Sequence, residues 1–126
     1  MSMPRVGIVL VNWNSYEDTA ACLHSLAEIT YPNVEIIVVD NASRDESATK
    51  LHAEFPGITF LQSKENAGFT GGNNLGIEYA LHTNCDQVLL LNNDTFVLPG
   101  FLEPLLDRME SNSKIAAVSG KIYYAP

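Results

Sequence analysis

The 126-residue sequence predicts an α/β domain, a mostly parallel, doubly wound sheet with helices on both faces. Three observations predict it. Short Val- and Ile-rich runs alternate with stretches whose apolar residues recur every three or four positions. The apolar runs are continuous rather than alternating with polar residues, as expected for parallel strands covered on both faces. Two of them end in carboxylate and amide clusters, Asp40-Asn41 and Asn92-Asn93-Asp94, at the strand ends where open α/β sheets collect ligands.

Residues 5–12 form the first and central strand. Ser15 is placed to cap a helix whose apolar positions are Ala20, Leu23, Leu26 and Ala27, and Tyr31-Pro32-Asn33 closes it. Residues 34–40 form the second strand. Ser43 or Asp45 then caps a helix reaching Phe55, which Pro56-Gly57 terminates. Residues 58–62 give a third strand, and the glycine-rich stretch 66–72 is a loop leading into a helix that runs to about His82. Residues 87–92 form the fourth strand. Beyond Pro99-Gly100, Phe101, Leu102, Leu105, Leu106 and Met109 outline an amphipathic helix with Glu103 and Asp107 on its solvated face. Residues 115–124 complete the pattern as a fifth strand. No internal repeat or linker divides the chain, so residues 1–126 are expected to form one domain.

Composition narrows the classes of partner. The 46% hydrophobic content supplies a core, and 15 acidic against 7 basic residues give a formal charge of -8. Such a background repels nucleic acid and anionic membranes, and an anionic ligand would call for a divalent cation as bridge. No apolar run approaches the ~20 residues of a membrane span. With no secretory-type leader at the start, the cytoplasm is the expected compartment, and Cys22 and Cys85 are expected as isolated buried thiols.

The candidate site residues each have two readings. Asp94, with Asn92 and Asn93 beside it, suits a hard-cation site completed by substrate phosphates, or an Asx-type turn. Asp40 can accept from a ribose hydroxyl or a base N–H, or can cap the following helix with Ser43. Trp13, just beyond Asn12, can stack on a nucleobase or fill a core or interface. The glycine stretch can receive a phosphate or sugar on backbone N–H groups, or can simply pack closely against a strand. Gly68, Gly71, Gly72 and Gly76 fit neither a dinucleotide fingerprint nor a P-loop. His24, His52 and His82 are ordinary helix residues, and no Ser/His/Asp arrangement follows from spacing.

Four segments in register carry a resemblance. Val9-Leu10-Val11-Asn12-Trp13-Asn14, Tyr31-Pro32-Asn33 before Glu35-Ile36-Ile37-Val38-Val39-Asp40-Asn41-Ala42-Ser43, Glu65-Asn66-Ala67-Gly68-Phe69 with Gly72-Asn73-Asn74, and Leu91-Asn92-Asn93-Asp94-Thr95 resemble family 2 glycosyltransferases of the GT-A fold. The rhamnosyltransferase-like branch, which builds bacterial surface polysaccharides, is the nearest in flavour. The resemblance implies inverting transfer from a nucleotide-diphospho-sugar, a dTDP- or UDP-sugar, to a saccharide or lipid-linked acceptor. It implies that Asp94 holds Mn²⁺ or Mg²⁺. It also implies that Asn12, Trp13, Asp40, Asn41, Asn66, Gly68 and Asn93 lie around the nucleotide.

Two departures qualify it. Asn41, Asn92 and Asn93 stand where many relatives carry aspartates, and the family's catalytic base and acceptor half lie downstream of this region. The chain is therefore expected to be the N-terminal, donor-binding part of a longer enzyme, working in the cytoplasm or at the inner membrane face. The alternative is a catalytically incomplete binding module. An open sheet edge in such a fragment further predicts self-association.

Overall fold

The apolar runs do pair in parallel, and their order places the site. The computed structural model describes residues 3–124. Its strands are β1 (Val6–Asn12), β2 (Val34–Asp40), β3 (Thr59–Gln62) and β4 (Gln87–Leu90), in the order β3-β2-β1-β4 with every pairing parallel. Its helices are α1 (Tyr16–Leu26), α2 (Ser47–Glu54), α3 (Gly68–His82) and α4 (Leu102–Glu110).

Strand alternation divides the core in two. Ile8 and Leu10 point to one face, where Leu23 and Leu26 of α1, Leu51 of α2 and Leu102 and Leu106 of α4 bury them. Val9, Ile37 and Val39 point to the other face, against Ala80 of α3 and Cys85. The chain thus winds β1, β2, β3 outward with α1 and α2 on one face. It then crosses by α3 on the opposite face to place β4 on the far side of β1. The direction of winding reverses between β1 and β4, and that reversal opens a crevice at the carboxyl ends of these two strands.

The glycine-rich stretch behaves differently from the expected loop. Gly68 to Gly72 are already helical, forming the first turn of α3. Helical glycine costs ~1 kcal/mol relative to alanine, so tertiary packing must offset it. It does so where α3 crosses β1: a Cβ at Gly76 would lie 2.3 Å from Val9 Cγ1, and one at Gly72 would lie 2.9 Å from Val11 Cγ1. Of the two readings of these glycines, close packing against a strand accounts for both positions.

The expected fifth strand does not form. Residues 115–124 run without ladder pairing, and Ala116, Ala117 and Val118 instead line a groove of about 240 Å³ with Val88, Leu89, Leu102 and Leu106. A strand exists only through a partner's hydrogen bonds, and β-favouring residues alone do not supply them. The helix starts also shift. The Ser15 hydroxyl donates to Asp18 at 3.2 Å instead of capping a backbone N–H. Ser43 is spent elsewhere, while Asp45 accepts from the Ser47 N–H at 2.9 Å and so opens α2 at Ser47. Glu103 is not solvated: its Oε2 accepts from Thr30 and its Oε1 is buried without a donor. Cys22 and Cys85 are free and buried, as expected.

Candidate functional site

The polar residues at the carboxyl end of the sheet form one continuous network. Asn12 ends β1, pairs in register with Asp40 of β2, and has no exposed surface. Its Nδ2 faces Asp40 Oδ1 at 2.9 Å, Ser47 Oγ at 3.0 Å and Ser43 Oγ at 3.2 Å. Its Oδ1 accepts from Thr19 Oγ1 of α1 at 2.7 Å. Buried amides are normally bonded on both sides, and this one is.

Asp40 is 2% exposed. Besides Asn12, it accepts from the Ser43 hydroxyl (2.7 Å), the Ser43 N–H (2.9 Å) and Gln62 Nε2 of β3 (3.0 Å). Burial by itself pushes this carboxyl up. The hydrogen bonds from Ser43, Asn12 and Gln62 outweigh it and hold the group below the usual aspartate range. Four donors from the chain itself occupy the roughly four acceptor sites of the carboxylate, although none of them is an N–H of the first turn of α2, so Asp40 fastens the loop at Ser43 without capping the helix. A contact from Asp40 to a nucleoside would require one of them, such as Gln62, to give way.

Asn41 and Asn12 are likewise committed within the chain. Asn41 is buried and locks the entry to α3, its Nδ2 donating to Gly68 O at 2.8 Å and its Oδ1 accepting from Ala67 N–H at 3.2 Å. Asn12 and Asn41, both expected around the nucleotide, have enclosed side chains that hold the strand tips in place. Asn66 and Gly68 are exposed, but the Gly68 N–H already donates to Asn66 Oδ1 at 2.9 Å. The backbone turns sharply behind both strand ends, with Asn14 at φ +48° and Ala42 at φ +62°, the left-handed region that side chains seldom adopt. Asn14 then secures the loop before α2, accepting from the Arg44 N–H at 2.8 Å and the Asp45 N–H at 3.2 Å.

The β4 tip is built in the opposite manner. Asn93 is half-buried and its Nδ2 donates to Thr19 Oγ1 at 3.0 Å, while Asp94 beside it is exposed. Among the described residues, neither the Asp94 carboxylate nor Asn93 Oδ1 has a hydrogen-bond donor or an ion-pair partner. Trp13 is 50% exposed at the neighbouring β1 tip. Residues 92–99 run alongside α1 and are fastened to it stepwise. Asn93 meets Thr19, Cys22 Sγ donates to Asn92 O at 4.0 Å, Val97 N–H donates to Ser25 Oγ at 3.2 Å, and Thr30 N–H donates to Pro99 O at 2.9 Å. Cys22 lies beneath this segment. Burial chiefly pushes its thiol up, to about 12, with the Asp94 charge adding to the effect and a hydrogen bond from the Thr95 backbone N–H opposing it.

Oxygen atoms on a carboxylate and an amide match the ligand chemistry of Mg²⁺ and Mn²⁺, which take one or two carboxylates and leave positions for phosphates and water. Among the described residues no group of three or more His, Cys, Asp or Glu forms a self-sufficient metal cage. A second cleft, about 350 Å³ and lined by Asn14, Tyr16, Glu17, Asp18 and Asp45, carries three carboxylates that would repel a diphosphate. Glu103 lies at the amino end of the sheet, against Thr30 and Pro99, away from the strand tips.

Sequence reasoning missed Thr19, Ser47 and Gln62. Thr19 carried one usable signal: with Leu23 and Leu26 it occupies the i, i+4, i+7 stripe of α1, a polar residue on the buried face.

Strand order and strand-tip chemistry together define a doubly wound α/β protein with an oxygen-rich site at its switch point. The chain belongs to glycosyl transferase family 2, whose family model matches residues 7–125. It is 28% identical over 110 residues to an uncharacterized glycosyltransferase of Haemophilus influenzae, covering 87% of this chain and 36% of that protein. It is 34% identical over 90 residues to the low-salt glycan biosynthesis hexosyltransferase Agl10 of Haloferax volcanii, covering 71% and 27%. The chain therefore spans only about a third of the length of such relatives.

Solved structures agree in fold. S. aureus TarS 1-349 in complex with UDP superposes with a TM-score of 0.72 at 18% identity, over 96% of this chain and 38% of that one. The mannosyltransferase PcManGT of Pyrobaculum calidifontis, in complex with GDP-Man and Mn²⁺, does so with a TM-score of 0.66 at 22% identity, over 75% and 29%. The fold is thus of the GT-A type that the resemblance implied. No helix among the described residues is long and apolar enough to cross a membrane.

Proposed function

We propose that this chain carries the donor site of an inverting, metal-dependent glycosyltransferase that uses a nucleotide-diphospho-sugar. One observation carries the reading: at the β1/β4 switch point, Asp94 keeps a free, exposed carboxylate next to the unpaired amide oxygen of Asn93, while the Asn12, Asp40 and Asn41 side chains nearby are bonded within the chain. Free oxygens at a switch point are what a cation-bridged diphosphate needs. The UDP and GDP-Man bound in the two structural relatives are ligands of this chemical class.

In this reading Asp94 is the metal residue, with Asn93 Oδ1 as a neighbouring oxygen. Mn²⁺ or Mg²⁺, when bound, offsets negative charge on the departing diphosphate. Trp13 offers an exposed ring to the base. Asp40, Asn12 and Asn41 keep the β1 and β2 tips rigid, so that donor binding orders few groups. Inversion and a saccharide or lipid-linked acceptor follow from the family resemblance. The catalytic base is assigned to no residue of this chain.

The reading is tested by calorimetric titration of UDP, dTDP and GDP, each with Mn²⁺ and with EDTA. Binding that needs the metal and disappears in Asp94→Ala supports it. Absence of heat with all three nucleotides in Mn²⁺ overturns it.

A further inference from the structure

Four residues from four segments form a hydrogen-bond chain in which every donor points the same way. Asn93 Nδ2 donates to Thr19 Oγ1 at 3.0 Å, Thr19 Oγ1 donates to Asn12 Oδ1 at 2.7 Å, and Asn12 Nδ2 donates to Asp40 Oδ1 at 2.9 Å. Asp40 dictates the direction. Turning the Asn12 amide over would set its oxygen against a carboxylate, so Nδ2 must face Asp40 and Oδ1 must face Thr19. A hydroxyl has a single proton, so Thr19, having given it to Asn12, can only accept from Asn93. Asn93 must then turn its NH₂ inward, which leaves Oδ1 as the group it can offer beside Asp94.

We propose that Thr19 is a positioning residue of the donor site: it sets the orientation of the Asn93 amide and couples the β4 tip, through Asn12, to Asp40. Thr19 is fully buried and touches no ligand itself. It is also the uppermost of the fastenings that hold residues 92–99 along α1. Without its hydroxyl, the Asn93 amide is free to turn, and an NH₂ next to Asp94 opposes a cation where an oxygen would assist one. The chain of bonds ends on an anion, so each link strengthens the next. The consequence is specific. Loss of the hydroxyl should weaken the metal's contribution to nucleotide binding, not the contribution of the nucleoside.

The functional half of this proposal rests on the donor-site reading above, and two measurements separate their failures. In the first, wild type, Thr19→Val and Thr19→Ser are titrated with UDP, dTDP and GDP in Mn²⁺ and in EDTA. The ratio of the two affinities should fall about tenfold in Thr19→Val, the size of one net hydrogen bond. The EDTA affinity should hold, and Thr19→Ser should recover the ratio. An unchanged ratio in Thr19→Val, or equal losses with and without metal, overturns the proposal. The second measurement needs no ligand and decides the coupling even if no nucleotide binds. The Asn93 side-chain NH₂ signals in ¹H–¹⁵N NMR should move on Asp40→Asn in the wild-type and Thr19→Ser backgrounds, and stay put in Thr19→Val. Equal movement in all three overturns it. Should Thr19→Val not fold, hydrogen exchange in the wild type decides. Asn93 NH₂ protected relative to the exposed Asn92 NH₂ supports the coupling, and equally fast exchange refutes it.

Discussion

Two aspartates end two strands of the same sheet, and their surroundings are opposite. Asp40, at the end of β2, is buried under four donors from three segments of chain. Asp94, just past the end of β4, is exposed and unbonded among the described residues. The strand order explains the contrast. β2 lies between β1 and β3, where neighbours on both sides supply donors, whereas β4 borders the reversal point and has β1 on one side only. The same residue type is thus a structural tie at one tip and an open group at the other. A carboxylate's accessibility to a ligand is set by what its neighbours leave unsatisfied.

The largest test of that contrast is stability. Asp40→Ala takes the carboxylate away from the buried Asn12 amide, the half-buried Ser43 and the exposed Gln62, and should cost about 3 kcal/mol in urea unfolding, whereas Asp94→Ala should change stability by less than about 0.5 kcal/mol. Equal effects would erase the distinction. In nucleotide binding the order should reverse: Asp94→Ala should bring affinity in Mn²⁺ down to the EDTA value. Asn12→Ala, which removes the hub between the tips, should cost about 2 kcal/mol. It should be less than additive with Asp40→Ala in a double-mutant cycle, because the two share a bond. Additive losses would show that the network does not act as a unit.

A smaller effect comes with acid. Asp40 ionises more readily in the folded chain than in the unfolded one. The stability it contributes is therefore complete above the unfolded aspartate value of ~3.9 and is withdrawn as pH falls through its lower folded value. The stability gap between wild type and Asp40→Asn should narrow over that window, as followed by urea unfolding at each pH. A gap that widens towards acid would contradict the bonding described. The least effect should come from Cys22, whose thiol, raised to about 12, should react with a disulfide reagent much more slowly in the native protein than in urea.

Much of this was legible in the residues. Continuous Val and Ile runs predicted buried parallel strands, and three- and four-residue apolar spacing predicted the helices; β1, β2, α1 and α4 lie where those patterns put them. The clusters at Asp40 and Asp94 both fall at the carboxyl end of the sheet, where their positions after the apolar runs put them. The errors share a cause. Residues 115–124 have strand-favouring side chains, but pairing is a property of two segments, and this one lies against α4 and β4 without joining the ladder. The glycines at 68–72 favour a loop by local preference, yet α3 includes them, and at Gly72 the close approach of Val11 leaves no room for a side chain. Asn12 and Asn41 carried the polarity of ligand contacts, and only burial shows that they spend it on their own chain.

Residue order by itself determined the alternation of elements and the two-faced core, because periodicity is a local property that each segment expresses alone. It also placed an acidic and amide-rich group at the ends of two strands. The three-dimensional fold alone decided which aspartate is closed and which is open, how Thr19 meets Asn93, 74 residues away in sequence, and where the winding reverses. Those depend on which distant donors reach a given oxygen, and a buried polar group is satisfied by neighbours in space, wherever they stand in the sequence.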